Sequence, residues 1–175
     1  MDNVQLQHEK AVGDKFIEWL NARDGSNFSF SSRAGEAPDL VYKAGAKLLR
    51  VEIVGAYYDD AHAKLLWGIA RDVPNAPNSW SGKNFDEALL QDIERQIHRK
   101  CGLSYGPDCL LIVTVRPPVT ISEEVEELLP LIHLPARVPF KGVFLAGTFP
   151  ISTRSKGGYR VWALKEIGDK KSPQT

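Results

Sequence analysis

The chain contains little sulfur: two cysteines, Cys101 and Cys109, and one methionine in 175 residues. No CxxC pair accompanies the cysteines, and the four histidines fall at no ligand spacing, so a structural zinc site is excluded. The two thiols read as reduced cysteines of a cytosolic protein, with at most one disulfide between them. Net charge is missing as well. Lys plus Arg number 22 and Asp plus Glu number 22. This excludes a polyanion binder driven by bulk positive charge and leaves room only for a local basic groove. No apolar run reaches the roughly 18 residues of a membrane span. The first ten residues are polar and read as no signal peptide, so the expected location is the cytoplasm, away from any membrane. No repeat or low-complexity block occurs. What is present is 43% apolar and 25% charged residues, the make-up of a globular domain. The length fits one domain, expected over 1–167, followed by a polar tail at 168–175.

Periodicity supplies the elements. Val12, Phe16, Trp19 and Leu20 recur at the helical period and predict a helix from about Gln5 to Ala22. Short strands are expected over Asn27–Ser31, Pro38–Lys43 and Leu48–Val54, the last two joined by a hairpin turn at Ala44-Gly45. The segment from Gly55 to Val73 is ambiguous. Ala61, Leu65, Leu66 and Ile69 are compatible with a helix capped by Asp59 or Asp60. A Pro- and Asn-rich loop follows at Pro74–Gly82, then a strongly amphipathic helix, Phe85–Cys101, stopped by Gly102. The apolar run Cys109–Val115 predicts a strand buried on both faces. Ser122 to Leu131 reads as a short helix, and Gly142–Ala146 and Tyr159–Leu164 as strands. The order α-β-β-β-α-β-α-β-β predicts a mixed α/β sheet with helices on its faces.

Two carboxylates stand out. Asp39 opens its strand directly after Pro38, and Glu52 lies within Leu49-Arg50-Val51-Glu52-Ile53-Val54. Alternation puts Leu49, Val51 and Ile53 on one face and Arg50, Glu52 and Val54 on the other. A mid-strand carboxylate among apolar residues is costly without a partner or a metal. An antiparallel hairpin would let Asp39 and Glu52 converge, and two converging acids suit Mg²⁺. The plainer readings are a strand-opening aspartate at a proline turn and a glutamate paired with Arg50 or Lys43.

The Pro38-Asp39 pair followed by Glu52-Ile53-Val54, within this element order, resembles the PD-(D/E)xK nuclease superfamily over roughly Gln5 to Val115. That resemblance implies a restriction-endonuclease-like α-β-β-β-α-β core and metal-dependent hydrolysis of phosphodiester bonds in DNA or RNA. It implies that Asp39 and Glu52 hold Mg²⁺ or Mn²⁺, joined by an acid of the first helix, and it implies a homodimer where duplexes are cut. Glu9 and Glu18 compete for the helix position. Glu9 shares the side of Val12, Phe16 and Leu20, whereas Glu18 points away. The family lysine two positions after the second acid is replaced by Val54. Lys64, Lys100 and Gln96 are the substitutes the chain offers, Lys100 lying near the apolar stripe of its helix. A second functional class follows from the same departure: a nuclease fold without catalysis that binds nucleic acid or a protein partner.

The remaining features have plainer counterparts. Arg95 to Lys100 forms a basic helix face that serves nucleic acid or is simply solvated. Thr153 to Gly158 is a basic, Gly-containing loop suited to phosphate or to an ordinary turn. Tyr57 and Tyr58 are either base-stacking or packing residues. Trp67 and Trp80 are expected to cover the edge of the core, and the four histidines are expected on the surface or in packing.

Overall fold

The computed structural model describes residues 3–34, 37–74, 79, 81–105, 108–115, 120–151 and 155–166. The expected tail and most of the 74–82 loop, Trp80 included, lie outside these residues. The elements run α1 (Asn3–Asp24), β1 (Ser29–Arg33), β2 (Leu40–Ala44), β3 (Lys47–Ala56), α2 (Asp60–Ala70), α3 (Phe85–Cys101), β4 (Cys109–Val115), α4 (Ser122–Leu128), a 3-10 turn (Leu129–Leu131), β5 (Gly142–Phe149) and β6 (Gly158–Lys165). They form an α/β fold around one six-stranded mixed sheet in the order β1-β2-β3-β4-β5-β6. The pairs β3–β4 and β4–β5 are parallel, and the remaining pairs are antiparallel.

The parallel centre explains β4. All seven of its residues are buried. Leu110 and Ile112 enter the core under α1, with Phe16, Ile17, Leu20, Leu40, Val51 and Phe144. Cys109, Leu111, Val113 and Val115 enter the opposite core with Leu89, Ile93 and Ile97 of α3 and Val125 of α4. Helices therefore cover both faces, which is why the strand carries a continuous apolar run. Both cysteines are free thiols.

Several boundaries differ from expectation, each for a local reason. The first strand starts at Ser29 because Asn21, near the end of α1, holds Phe28 away from the ladder. The Asn21 amide donates to the Phe28 carbonyl at 2.8 Å, and the Phe28 N–H donates to Asn21 Oδ1 at 2.9 Å. The ambiguous segment after β3 is helical as α2, and the Asp59 side chain caps it by accepting the His62 N–H at 2.7 Å. The helix from Ser122 tightens into a 3-10 turn at Leu129, where Pro130 supplies no N–H for an α-helical bond. Strand β5 extends to Phe149, paired with Gly158 of β6. Gly102 caps α3 at φ −76°, so the helix ends there without a left-handed residue.

One glycine sets how closely α1 meets the sheet. A Cβ on Gly13 would lie 2.4 Å from Leu40 Cδ1 and 2.5 Å from the Tyr42 hydroxyl. Glycine inside a helix costs up to about 1 kcal/mol in propensity. Here it lets the helix backbone approach β2, and the Tyr42 hydroxyl donates to Asp14 Oδ1 at 2.9 Å. That approach holds the preceding turn of α1, with Glu9, against the sheet end described next.

Candidate active site

The β2–β3 hairpin turns through Gly45, whose φ of +59° is the left-handed conformation such a turn requires. Its register pairs Leu40 with Val51 and Val41 with Arg50. Asp39 directly precedes Leu40 and Glu52 directly follows Val51, so the two flank the last pair of the ladder. Residues opposite each other in an antiparallel pair share a face, so the hairpin brings the two carboxylates to one side of the sheet. Asp39 Oδ2 accepts the Ile53 N–H at 2.7 Å, which fixes its carboxylate at the end of the ladder.

These residues line a cavity of about 360 Å³ at the C-terminal end of β3. Glu52, Ile53, Val54 and Gly55 of β3 form one wall with Thr114 of β4, while α1 contributes Gln5, His8 and Glu9. Gln96, Arg99 and Lys100 enter from α3, and Trp67 from α2. A crevice beyond the carboxyl ends of parallel strands is where open α/β sheets commonly bind ligands.

The charged groups are arranged as follows. Glu52 is only 3% exposed, and the Lys100 ammonium donates to its Oε1. Glu9 is 7% exposed; it accepts the Gln5 amide at 2.9 Å and has the Arg33 guanidinium 4.0 Å away. Burial and the Glu52 carboxylate, with a smaller contribution from Glu9, push the Asp39 carboxyl up to about 7, against the opposing pull of the Ile53 N–H and Lys100. A carboxyl held this far above its ordinary range is first of all a buried one, and the neighbouring acids add to the shift. Burial and Glu52 likewise push the Tyr105 hydroxyl up.

The sequence-derived candidates separate here. Asp39, Glu52, Glu9 and Lys100 all line one cavity, as does Gln96. Glu18 is exposed. Lys64 lies on the exposed side of α2 and is not among the cavity residues, so this helix presents Trp67 to the cavity instead. Val54, at the family lysine position, packs into the core beneath α3. Lys100, one turn after Gln96 on that helix, puts its ammonium beside Glu52.

Of the tyrosines, Tyr57 lines the cavity, whereas Tyr58 is buried against His62 and Phe85. Arg99 and Lys100 of the basic helix face reach the cavity, while Arg95 is paired with Asp92. Thr153 and Arg154 of the basic loop lie outside the described residues. Sequence reasoning missed His8, Gln5, Thr114 and Gly55. For Gln5 and His8 a usable signal existed, since they lie within one turn of Glu9; for Thr114 the only signal was a hydroxyl within an otherwise apolar strand.

Whether these residues suit a divalent metal is decided by their oxygens. Glu9 Oε2 and Glu52 Oε2 are buried without a hydrogen-bond partner. Glu9 Oε2 has the Arg33 guanidinium 4.0 Å away, whereas the Lys100 ammonium sits on the other oxygen of Glu52, so Glu52 Oε2 is the oxygen left open to a cation. Among the described residues no three His, Cys, Asp or Glu side chains are gathered tightly enough to cage an ion as they stand. Mg²⁺ does not require such a cage, because it is commonly held through one or two carboxylates and keeps several waters. The donor chemistry therefore fits, with Asp39 and Glu52 as the pair.

Comparison with known protein families, with curated proteins and with solved structures finds no match. Among the described residues no helix is long and apolar enough to cross a membrane.

Proposed function

We propose that the protein is a divergent metal-dependent nuclease of the PD-(D/E)xK type, hydrolysing phosphodiester bonds of DNA or RNA. The observation that carries this reading is the Lys100 ammonium on the Glu52 carboxylate, in the same cavity as Asp39 and Glu9. A lysine contributed by α3 supplies the positive charge that Val54 cannot. Asp39 and Glu52 would hold Mg²⁺ or Mn²⁺, with Glu9 across the cavity. The ion, when bound, supplies Lewis-acid polarisation of the phosphodiester and a more acidic attacking water.

The chain's own groups do the rest. The Ile53 N–H fixes Asp39, so one carboxylate is positioned by backbone. Lys100, held by Glu52, would offset charge gathering on the phosphate as a preorganised cation. Arg99, at the cavity wall, offers a second cation to the phosphate backbone. With net charge zero, phosphate contact must be local, and Arg99 and Lys100 are the cations lining this cavity among the described residues.

The test is incubation of the purified chain with supercoiled plasmid, single-stranded DNA and RNA in Mg²⁺ or Mn²⁺. Cleavage by the wild-type chain and its loss in Asp39→Ala is the expected result. Cleavage that survives Asp39→Ala overturns the assignment. The second reading, a non-catalytic nucleic-acid-binding module, is favoured by Val54 in place of the family lysine. It is the outcome if calorimetry detects no millimolar Mg²⁺ or Mn²⁺ binding while salt-sensitive DNA binding persists.

A further inference from the structure

A second cavity adjoins the first. It encloses about 440 Å³ between α1, α2 and the ends of β4, β5 and β6. This is within the roughly 300–1,000 Å³ typical of small-molecule sites. His8 and Thr114 line both cavities, so the two share a wall. Their chemistry differs sharply. The first holds three carboxylates, Glu9, Asp39 and Glu52. The second is walled by Ala11, Val12, Leu66, Val115 and Ala146, and among the described residues that line it none is acidic.

Its polar groups are few and convergent. The Lys15 ammonium donates to Thr148 Oγ1 at 3.1 Å and lies 4.8 Å from the centre of the Tyr159 ring. The Tyr159 hydroxyl is buried without a hydrogen-bond partner. An apolar slot with a cation and an unused hydroxyl at its edge matches a flat heteroaromatic ring carrying carbonyl and ring-nitrogen acceptors. At the boundary between the cavities, His8 meets the Trp67 ring edge-on, with centroids 5.5 Å apart.

Resting on the nuclease reading of the carboxylate cavity, we propose that this second cavity is a subsite for one unpaired nucleobase of the substrate strand, adjacent to the phosphate that is cut. A base within an intact duplex is stacked and paired and cannot enter a slot between two helices and a sheet end; it must first leave the stack. The preferred substrate is therefore a single strand, flap or gap, and uninterrupted duplex is bound more weakly.

The test separates this subsite from catalysis by measuring binding without metal. Fluorescence anisotropy in EDTA follows a short labelled deoxyribo strand, its ribo counterpart and the blunt duplex of the same sequence. Ala11 is exposed on α1 and lines the slot, so Ala11→Trp fills the slot without disturbing the core; Lys15→Gln removes its cation. The wild-type chain is expected to bind at least one single strand about tenfold or more tightly than duplex. Ala11→Trp is expected to abolish that preference and leave duplex affinity unchanged, with circular dichroism reporting an intact fold. Lys15→Gln is expected to weaken single-strand binding severalfold. Loss of the preference in Ala11→Trp supports the subsite even if the wild-type chain cleaves nothing, in which case only the nuclease reading fails. A wild-type chain with no single-strand preference, or a preference that Ala11→Trp leaves intact, overturns the subsite, and Asp39-dependent cleavage would then still stand alone.

Discussion

Replacing Lys100 by methionine tests the pair at the centre of the site. Methionine keeps the apolar stem of the side chain and removes the ammonium. Glu52 is 3% exposed and the Lys100 side chain 15%, so neither charge is freely solvated. Glu52 Oε2 already lacks a hydrogen-bond partner. Without Lys100 the buried carboxylate loses its cation, a change that costs about 3–5 kcal/mol when one member of a buried pair is removed. At about 2–4 °C per kcal/mol for a chain of this size, Tm should fall by roughly 6–20 °C. Urea unfolding at pH 7.5 with an unchanged m-value checks the free energy. Glu52→Leu combined with Lys100→Met should regain most of the loss, because a well-packed apolar pair is often as stable as a buried ion pair. Because both groups are shielded, the deficit of the single variant should persist in high salt. A Lys100→Met chain as stable as wild type, or a double variant no better than the single one, would show that the ammonium does not offset the Glu52 charge.

Asp39 gives a pH signature. Its carboxyl is raised from an ordinary 3.8 to about 7, so between these values the folded chain keeps a proton that the unfolded chain has released. The folded state then binds more protons, and this group's contribution to stability falls as pH rises from about 4 to about 7. In metal-free buffer, Asp39→Asn should therefore stabilise the chain more at pH 8 than at pH 5, read by paired urea titrations; an equal effect at both would contradict it. Gly13→Ala should gain helix propensity yet lose stability by about 1–3 kcal/mol through overpacking against Leu40 and Tyr42, and thermal unfolding above the wild-type Tm would contradict the close approach of α1.

The elements were largely legible because each obeyed a local rule. Cys109–Val115 is apolar throughout since helices cover both sides of β4. The stripe Leu89, Ile93, Ile97 matches the buried face of α3. Legibility failed where side chains acted across elements. Asn21 delays β1 by tethering Phe28, a bond that no periodicity encodes. Helix α2 was ambiguous because its apolar content is short and its cap, Asp59, has an adjacent aspartate to compete with it.

The convergence of Asp39 and Glu52 is written in the chain: a proline turn, a hairpin of fixed register and a two-residue alternation leave them on one face. So is the inward facing of Glu9 rather than Glu18, because the helical period assigns the face. Which lysine accompanies them was decided only by the tertiary structure. Lys64 and Lys100 are equally plausible along the chain, and the packing of α3 against β3 puts one ammonium on Glu52 while α2 leaves the other in solvent. The apolar slot beside the carboxylates is likewise tertiary, since its walls come from α1, α2 and three strands. Local periodicities set the direction in which each side chain leaves its own backbone, but the distance between two backbones is set by what packs between them.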